Sequence, residues 1–257
     1  MEHQKPKTSL LSNILILVFF IGLSVGTGWL HLATQSQEWR VSARFDAPKV
    51  AELGNFYSLK STYRQVQNDG NALPNNEQEI TTAVFDEFKQ RLTALDDRLE
   101  FLINNTIVQQ TAAVNHQPTA LFARQLVEKL QFDSATGTLS FQLVNPDHAA
   151  SVLSDFIQKS SLKARENLNN DLIQQWKLLF QQVKQSADAN LGEQWQAKLT
   201  LMRSVQPLDN QLVPYHLVQK PIAATKPALP DNLTLVLALC AGFGALLGLV
   251  VIALQRK

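Results

Sequence analysis

The sequence predicts an α+β protein: two transmembrane helices flanking a domain that has a small mixed sheet at its base and a long projecting helical hairpin. Three observations carry this. Uncharged apolar runs of about the twenty residues needed to cross a bilayer as a helix lie near both ends, at Leu10–Leu30 and Leu233–Leu254. Period-two alternation of apolar and polar residues marks strands at 38–47 and 138–144. Between 147 and 191 there is neither proline nor glycine, and apolar residues recur at helical spacing.

Composition narrows the function classes. The chain has 257 residues and a net charge of +1, without a basic cluster, so nucleic acid is not an expected partner. The only cysteine, Cys240, lies in the second apolar run, which leaves the rest without disulfides or thiolate metal sites. His3, His31, His116, His148 and His216 never pair at ligand spacing. No nucleophile–base pair, metal spacing or phosphate cradle stands out, so no catalytic residue, metal or cofactor is expected.

In chain order, a short tail (1–9) with Lys5 and Lys7 precedes the first span (10–31), in which Gly22 and Gly26 have GxxxG spacing and Trp29 sits as an interfacial aromatic. A cleaved signal peptide ending near Gly26/Gly28 is the rival reading. Arg256 and Lys257 follow the second span (233–254), and both basic tails satisfy the positive-inside rule if both are cytoplasmic, which puts 32–232 on the other side. Tails this short leave no room for a cytoplasmic kinase, phosphatase or signalling domain.

The domain opens with a strand in which Trp39, Val41, Ala43 and Phe45 alternate with Arg40, Ser42, Arg44 and Asp46, ended by Pro48. Residues 50–66 read as a helix with Gly54 a tolerated interruption, 68–76 as a loop with Asp69-Gly70, and 77–114 as one helical stretch. Asp96, Asp97 and Glu100 read as its solvated face. The sequons at Asn104 and Asn232 are too short to carry meaning. A short helix follows Pro118, and Asp133–Gly137 between two extended runs is a hairpin. Asn145-Pro146-Asp147 then starts a helix that keeps its apolar line to Ala187. At ~1.5 Å per residue it would reach ~60 Å, so it must project or pack against a neighbour. After Asn190-Leu191-Gly192 a shorter limb runs over 193–205.

The base thus comprises about 32–146 and 207–220, the hairpin 147–206, and a proline-rich connector 221–231. Tyr215–Val218 reads as a strand, and Pro221, Pro227 and Pro230 hold the connector extended. In the second span Gly242, Gly244 and Gly248 with Ala238, Ala241 and Ala245 form a small-residue face that admits another helix closely, although glycine is also simply common in membrane helices.

This order of parts resembles the polysaccharide co-polymerases, the Wzz-type chain-length determinants of Gram-negative inner membranes. The residues that carry the resemblance are Gln37-Glu38-Trp39 entering a strand, Pro48-Lys49-Val50, and Leu53-Gly54-Asn55-Phe56-Tyr57-Ser58, which are similar to the branch modulating enterobacterial common antigen. Phe85-Asp86-Glu87-Phe88, Asp97-Arg98-Leu99-Glu100-Phe101, Pro146-Asp147, and Tyr215 leading to the three prolines also fit. The resemblance covers nearly the whole chain. One departure is a helical excursion that looks shortened by many tens of residues, and the tyrosine-kinase extension of capsule-export relatives is absent.

The resemblance implies a non-catalytic inner-membrane regulator with its bulk in the periplasm. It would assemble as a ring-like homo-oligomer and set, with a Wzy-type polymerase, the number of repeats added to a lipid-linked glycan. The polymer would be enterobacterial common antigen or lipopolysaccharide O-antigen. Leu168, Leu172, Trp176 and Leu179 on the long helix are then the candidate oligomer interface. Two other classes remain: a periplasmic sensor, and a membrane-anchored scaffold of envelope transport or division.

Overall fold

The computed structural model describes residues 10–34, 37–68, 74–227 and 233–255. In chain order the elements are α1 (Leu10–Thr34), β1 (Trp39–Asp46), a 3-10 turn (Val50–Glu52), α2 (Asn55–Gln67), α3 (Asn76–Thr93), α4 (Leu95–Asn104), α5 (Thr106–Val114), α6 (Thr119–Val127), β2 (Gln131–Asp133), β3 (Thr138–Leu143), α7 (Pro146–Asp188), α8 (Glu193–Ser204), β4 (His216–Ala223) and α9 (Leu233–Gln255). They form two compact units, one from 1–38 with 227–257 and the other from 39–226. The expected α+β class, with apolar helices at the ends, a four-stranded sheet and a long helix, is the observed one.

In the larger unit the sheet order is β2-β3-β1-β4, and every pairing is antiparallel where a mixed sheet was expected. The alternation in β1 works as read: Val41, Ala43 and Phe45 are buried, and cross-strand pairing sets them against Phe141, Leu139 and β4. The β2–β3 hairpin turns at Gly137 (φ 66), whose carbonyl accepts the Phe45 N–H at 2.9 Å. A Cβ there would overlap the Phe45 carbonyl, so the turn requires glycine.

The stretch 77–114 is three helices. It breaks at Ala94, whose ψ of 119 leaves the helical region, and at Asn105, whose side chain caps α5 by accepting the N–H groups of Ile107 (3.0 Å) and Val108 (3.2 Å). Asn105 is 9% exposed and donates to Asp155 on α7 at 3.4 Å. A buried capping amide explains this residue, part of a tripeptide without meaning at the sequence level. The 50–66 stretch is likewise split. Gly54 adopts φ 54, so a 3-10 turn and α2 meet there instead of forming one helix.

Helix α7 has 43 residues, about 65 Å at 1.5 Å each, started by the Asn145 cap and Pro146 as read. It passes three apolar clusters. The first joins the sheet to α4, α5 and α6 and to the N-terminal half of α7 through Val152, Leu153 and Phe156. The second joins Leu53, Phe56 and Leu59 with Ile80, Val84, Leu172 and Leu212. The third gathers Val66, Val183, Ala187, Leu199 and Met202. The apolar line of α7 is therefore met within one chain, by the sheet and α4–α6 along its first half and by α2, α3 and α8 beyond, with Leu168, Trp176 and Leu179 half-buried.

β4 runs to Ala223, so Pro221 lies inside an edge strand and not in the connector. It sits where the β1–β4 register shifts between Ser42/Ile222 and Arg44/Gln219, an irregularity of an edge strand at which a missing donor is tolerated. Pro227 follows the strand, while Pro230, Asp69-Gly70 and the basic residues of both tails lie outside the described residues.

The smaller unit contains α1 and α9, both long and apolar enough to cross a membrane, at Asn13–Leu32 and Leu233–Leu254. They pack antiparallel along their lengths: Leu17 lies at Gly248, Phe20 and Ile21 at Gly244, and Gly28 at Cys240.

Candidate functional site

Among the described residues no group of three His, Cys, Asp or Glu side chains could hold a metal ion. The acidic residues of α4 serve structure. Lys163 donates to Asp97 at 2.6 Å, Lys159 donates to Glu100 at 2.9 Å, and Arg91 lies between Asp97 (3.4 Å) and Glu87 (3.1 Å). This seam ties α3 and α4 to α7, so Asp97 is more than part of a solvated face. The hydrogen bond and charge of Lys159 hold the Glu100 carboxyl below its ordinary range, and the Asp97 hydrogen bond raises the Lys163 amine.

In the small unit, Gly244 and Gly248 have a neighbour already. A Cβ at Gly244 would lie 2.6 Å from the Phe20 carbonyl oxygen and 2.9 Å from the Ile21 Cα, and one at Gly248 would lie 3.1 Å from the Leu17 Cα. Ser24 Oγ donates to the Cys240 carbonyl at 2.7 Å. The small-residue face of α9 is used within the chain, against α1. Gly22, Gly26 and Gly242 have open space where a Cβ would be, and so do not share that contact.

In the large unit, the interface candidates differ in burial. Leu172 is 2% exposed in the second cluster, with Leu168 and Trp176 packed against that cluster and Leu179 against the third. Leu172 is thus part of the chain's own core, while Leu168, Trp176 and Leu179 are half-buried at the rims of the two clusters. The exposed apolar residues of α7 are Leu162, Ile173 and Leu178.

The Leu53-Gly54-Asn55 motif forms a clasp with the returning chain. Asp209 Oδ2 accepts the Asn55 N–H at 3.1 Å, Asn55 Nδ2 donates to the Pro207 carbonyl at 3.0 Å, and the Val213 N–H donates to the Glu52 carbonyl at 2.7 Å. Glu52 also lies 2.8 Å from His216 Nδ1. Next to it, Tyr215 stacks on Phe88 at 4.7 Å between centroids and meets Phe45 edge-on at 5.1 Å, and burial raises its hydroxyl's pKa. Sequence reasoning noted the motif and Tyr215 but missed Asp209. Its only local signal is an acid in a stretch without periodicity.

No family model matches the chain, and no curated protein matches it in sequence. Solved structures do. One, described as a full-length bacterial polysaccharide co-polymerase, aligns over 98% of this chain and 99% of its own with a TM-score of 0.60 at 14% identity. The fold is that of a polysaccharide co-polymerase. A second, a fragment of WzzB, the polysaccharide co-polymerase from Salmonella Typhimurium, aligns over 76% of this chain and all of its own, with a TM-score of 0.53 at 17% identity. Against the full-length co-polymerase this chain is not shortened, since each covers nearly all of the other. At these identities the likeness is one of fold.

Proposed function

We propose that this protein is a membrane-anchored, non-catalytic regulator of the chain length of a surface polysaccharide. Both apolar helices would sit in a Gram-negative inner membrane with the tails cytoplasmic and the sheet-and-helix unit periplasmic. There it would form a ring-like homo-oligomer and act with a Wzy-type polymerase on a lipid-linked glycan, either enterobacterial common antigen or O-antigen. The observation that carries this reading is the co-polymerase fold over 98% of the chain, terminal apolar helices included.

Deleting the gene tests the reading. Polymer should persist with a random, short-biased distribution of lengths on a glycan gel, and a plasmid copy should restore the modal length. Loss of polymer altogether, or an unchanged ladder for every surface glycan of the host, overturns it.

A further inference from the structure

Residues 205–214, between α8 and β4, form neither helix nor strand. Yet Leu212 is 1% exposed and Pro214 is buried, so this strap has one fixed course. Its polar fastenings converge on the start of α2. Gly54 stands at the N-cap position with no side chain to cap, in a backbone conformation (φ 54, ψ −143) that suits glycine alone. The Asp209 carboxylate fills that place: a Cβ on Gly54 would lie 2.6 and 2.9 Å from its two oxygens. Its Oδ2 accepts the Asn55 N–H and its Oδ1 accepts the Gln211 N–H at 3.1 Å. Arg165 on α7 donates to the Asn210 carbonyl at 2.9 Å from the other side.

We infer that Asp209 is a positioning residue: by capping α2 across the chain it latches the 205–214 strap, and so sets the register in which β4 joins β1 on its way to α9. The carboxylate suits a helix N-terminus, where free N–H groups and the helix dipole favour negative charge. The strap has no ladder of its own to resist slipping, and β4 pairs with β1 through register shifts at Ser42/Arg44 and Arg44/Phe45. A slip of one residue would exchange the two faces of the strand. The latch is thus what defines where the chain leaves the sheet.

Hydrogen exchange on the full-length protein in detergent tests this. Asp209→Ala should speed exchange about tenfold at the amides of 55–58 and 205–214 and in β4, and leave β3 and the third apolar cluster unchanged. Gly54→Ala, which pushes the carboxylate out, should give the same pattern. Asp209→Asn keeps one acceptor oxygen but turns the other into an NH2 that faces an N–H donor, so it should restore the protection only in part, at the Asn55 side or the Gln211 side and not both. Unchanged protection in Asp209→Ala, or a loss spread evenly over the whole unit, overturns the inference. A second arm rests on the length-control reading: Asp209→Ala should displace the modal polymer length, and Asp209→Asn should displace it less. Faster exchange with an unmoved length removes the strap from control, whereas a deletion strain with a normal ladder sinks the length-control reading and leaves the exchange arm standing.

Discussion

The Cβ that Gly244 lacks would sit 2.6 Å from the carbonyl oxygen of Phe20, so the two terminal apolar helices touch backbone to backbone at that point. Contact this close is available only to small residues, and it gives α9 a partner from within its own chain. Gly28→Cys places a thiol beside Cys240, since a Cβ at Gly28 lies 2.6 Å from the Cys240 sulfur. Oxidation should close a disulfide within one chain, visible as a shift in mobility that reductant reverses. Adding Gly244→Leu should abolish the cross-link while leaving both spans inserted.

Leu172 and Ile173 are neighbours with opposite fates, 2% and 52% exposed. Leu172→Glu buries an unpaired charge in the second cluster and should destabilise the isolated protomer by several kcal/mol. Ile173→Glu should leave thermal unfolding within ~0.5 kcal/mol of wild type. Were Leu172→Glu to unfold at the wild-type temperature and merely change the oligomeric state, the cluster would not be a core of one chain.

The α4–α7 seam predicts an acid-sensitive contribution. Glu100 titrates lower folded than unfolded, so its share of stability is present above about pH 4.5 and is lost as pH falls through the folded value. Lys163 titrates higher when folded, so its share is present below about pH 10.5 and is lost only as pH rises past the folded value. Glu100→Gln should therefore flatten the fall in unfolding temperature between about pH 5 and 3. Because Glu100 and Lys159 are largely exposed, the difference should shrink in high salt.

Topology follows from the proposed insertion. A phosphatase reporter inserted between Ser134 and Ala135, at the exposed β2–β3 turn, should be active, and one fused after Lys257 should be inactive. The opposite pattern would place the large unit in the cytoplasm.

Where the sequence spoke clearly, the signal was local. The alternation of β1, the turn residues at Asp133–Gly137 and the Asn145-Pro146 start of α7 each need only a few neighbours to be read, and the structure has all three. Ala94 and Asn105 escaped notice because the apolar spacing of three and four runs on across both breaks, and only backbone angles and a buried cap interrupt it. The cover over α7 was illegible for a different reason. Length argues for a helix that projects or packs against a neighbour, whereas Val66 reaches it from a distant part of the chain. Gly54 was visible as an oddity, but its cause, the carboxylate of Asp209, lies 154 residues beyond the Asn55 it caps.

The pairing of β1 with β4 also sets an order of events during biosynthesis. Glu52, just past β1, meets His216 at the start of β4 across 164 residues, and ribosomes add about 5–20 residues each second. For roughly 10–30 s of translation, β1 therefore has β3 on one side at most and a vacant hydrogen-bonding edge on the other. Nascent chains emerging together would expose that edge to one another. On the proposed topology, a holding chaperone on the receiving side of the membrane would matter most in this interval, and slowing translation within residues 150–210 should lengthen it and raise the misassembled fraction.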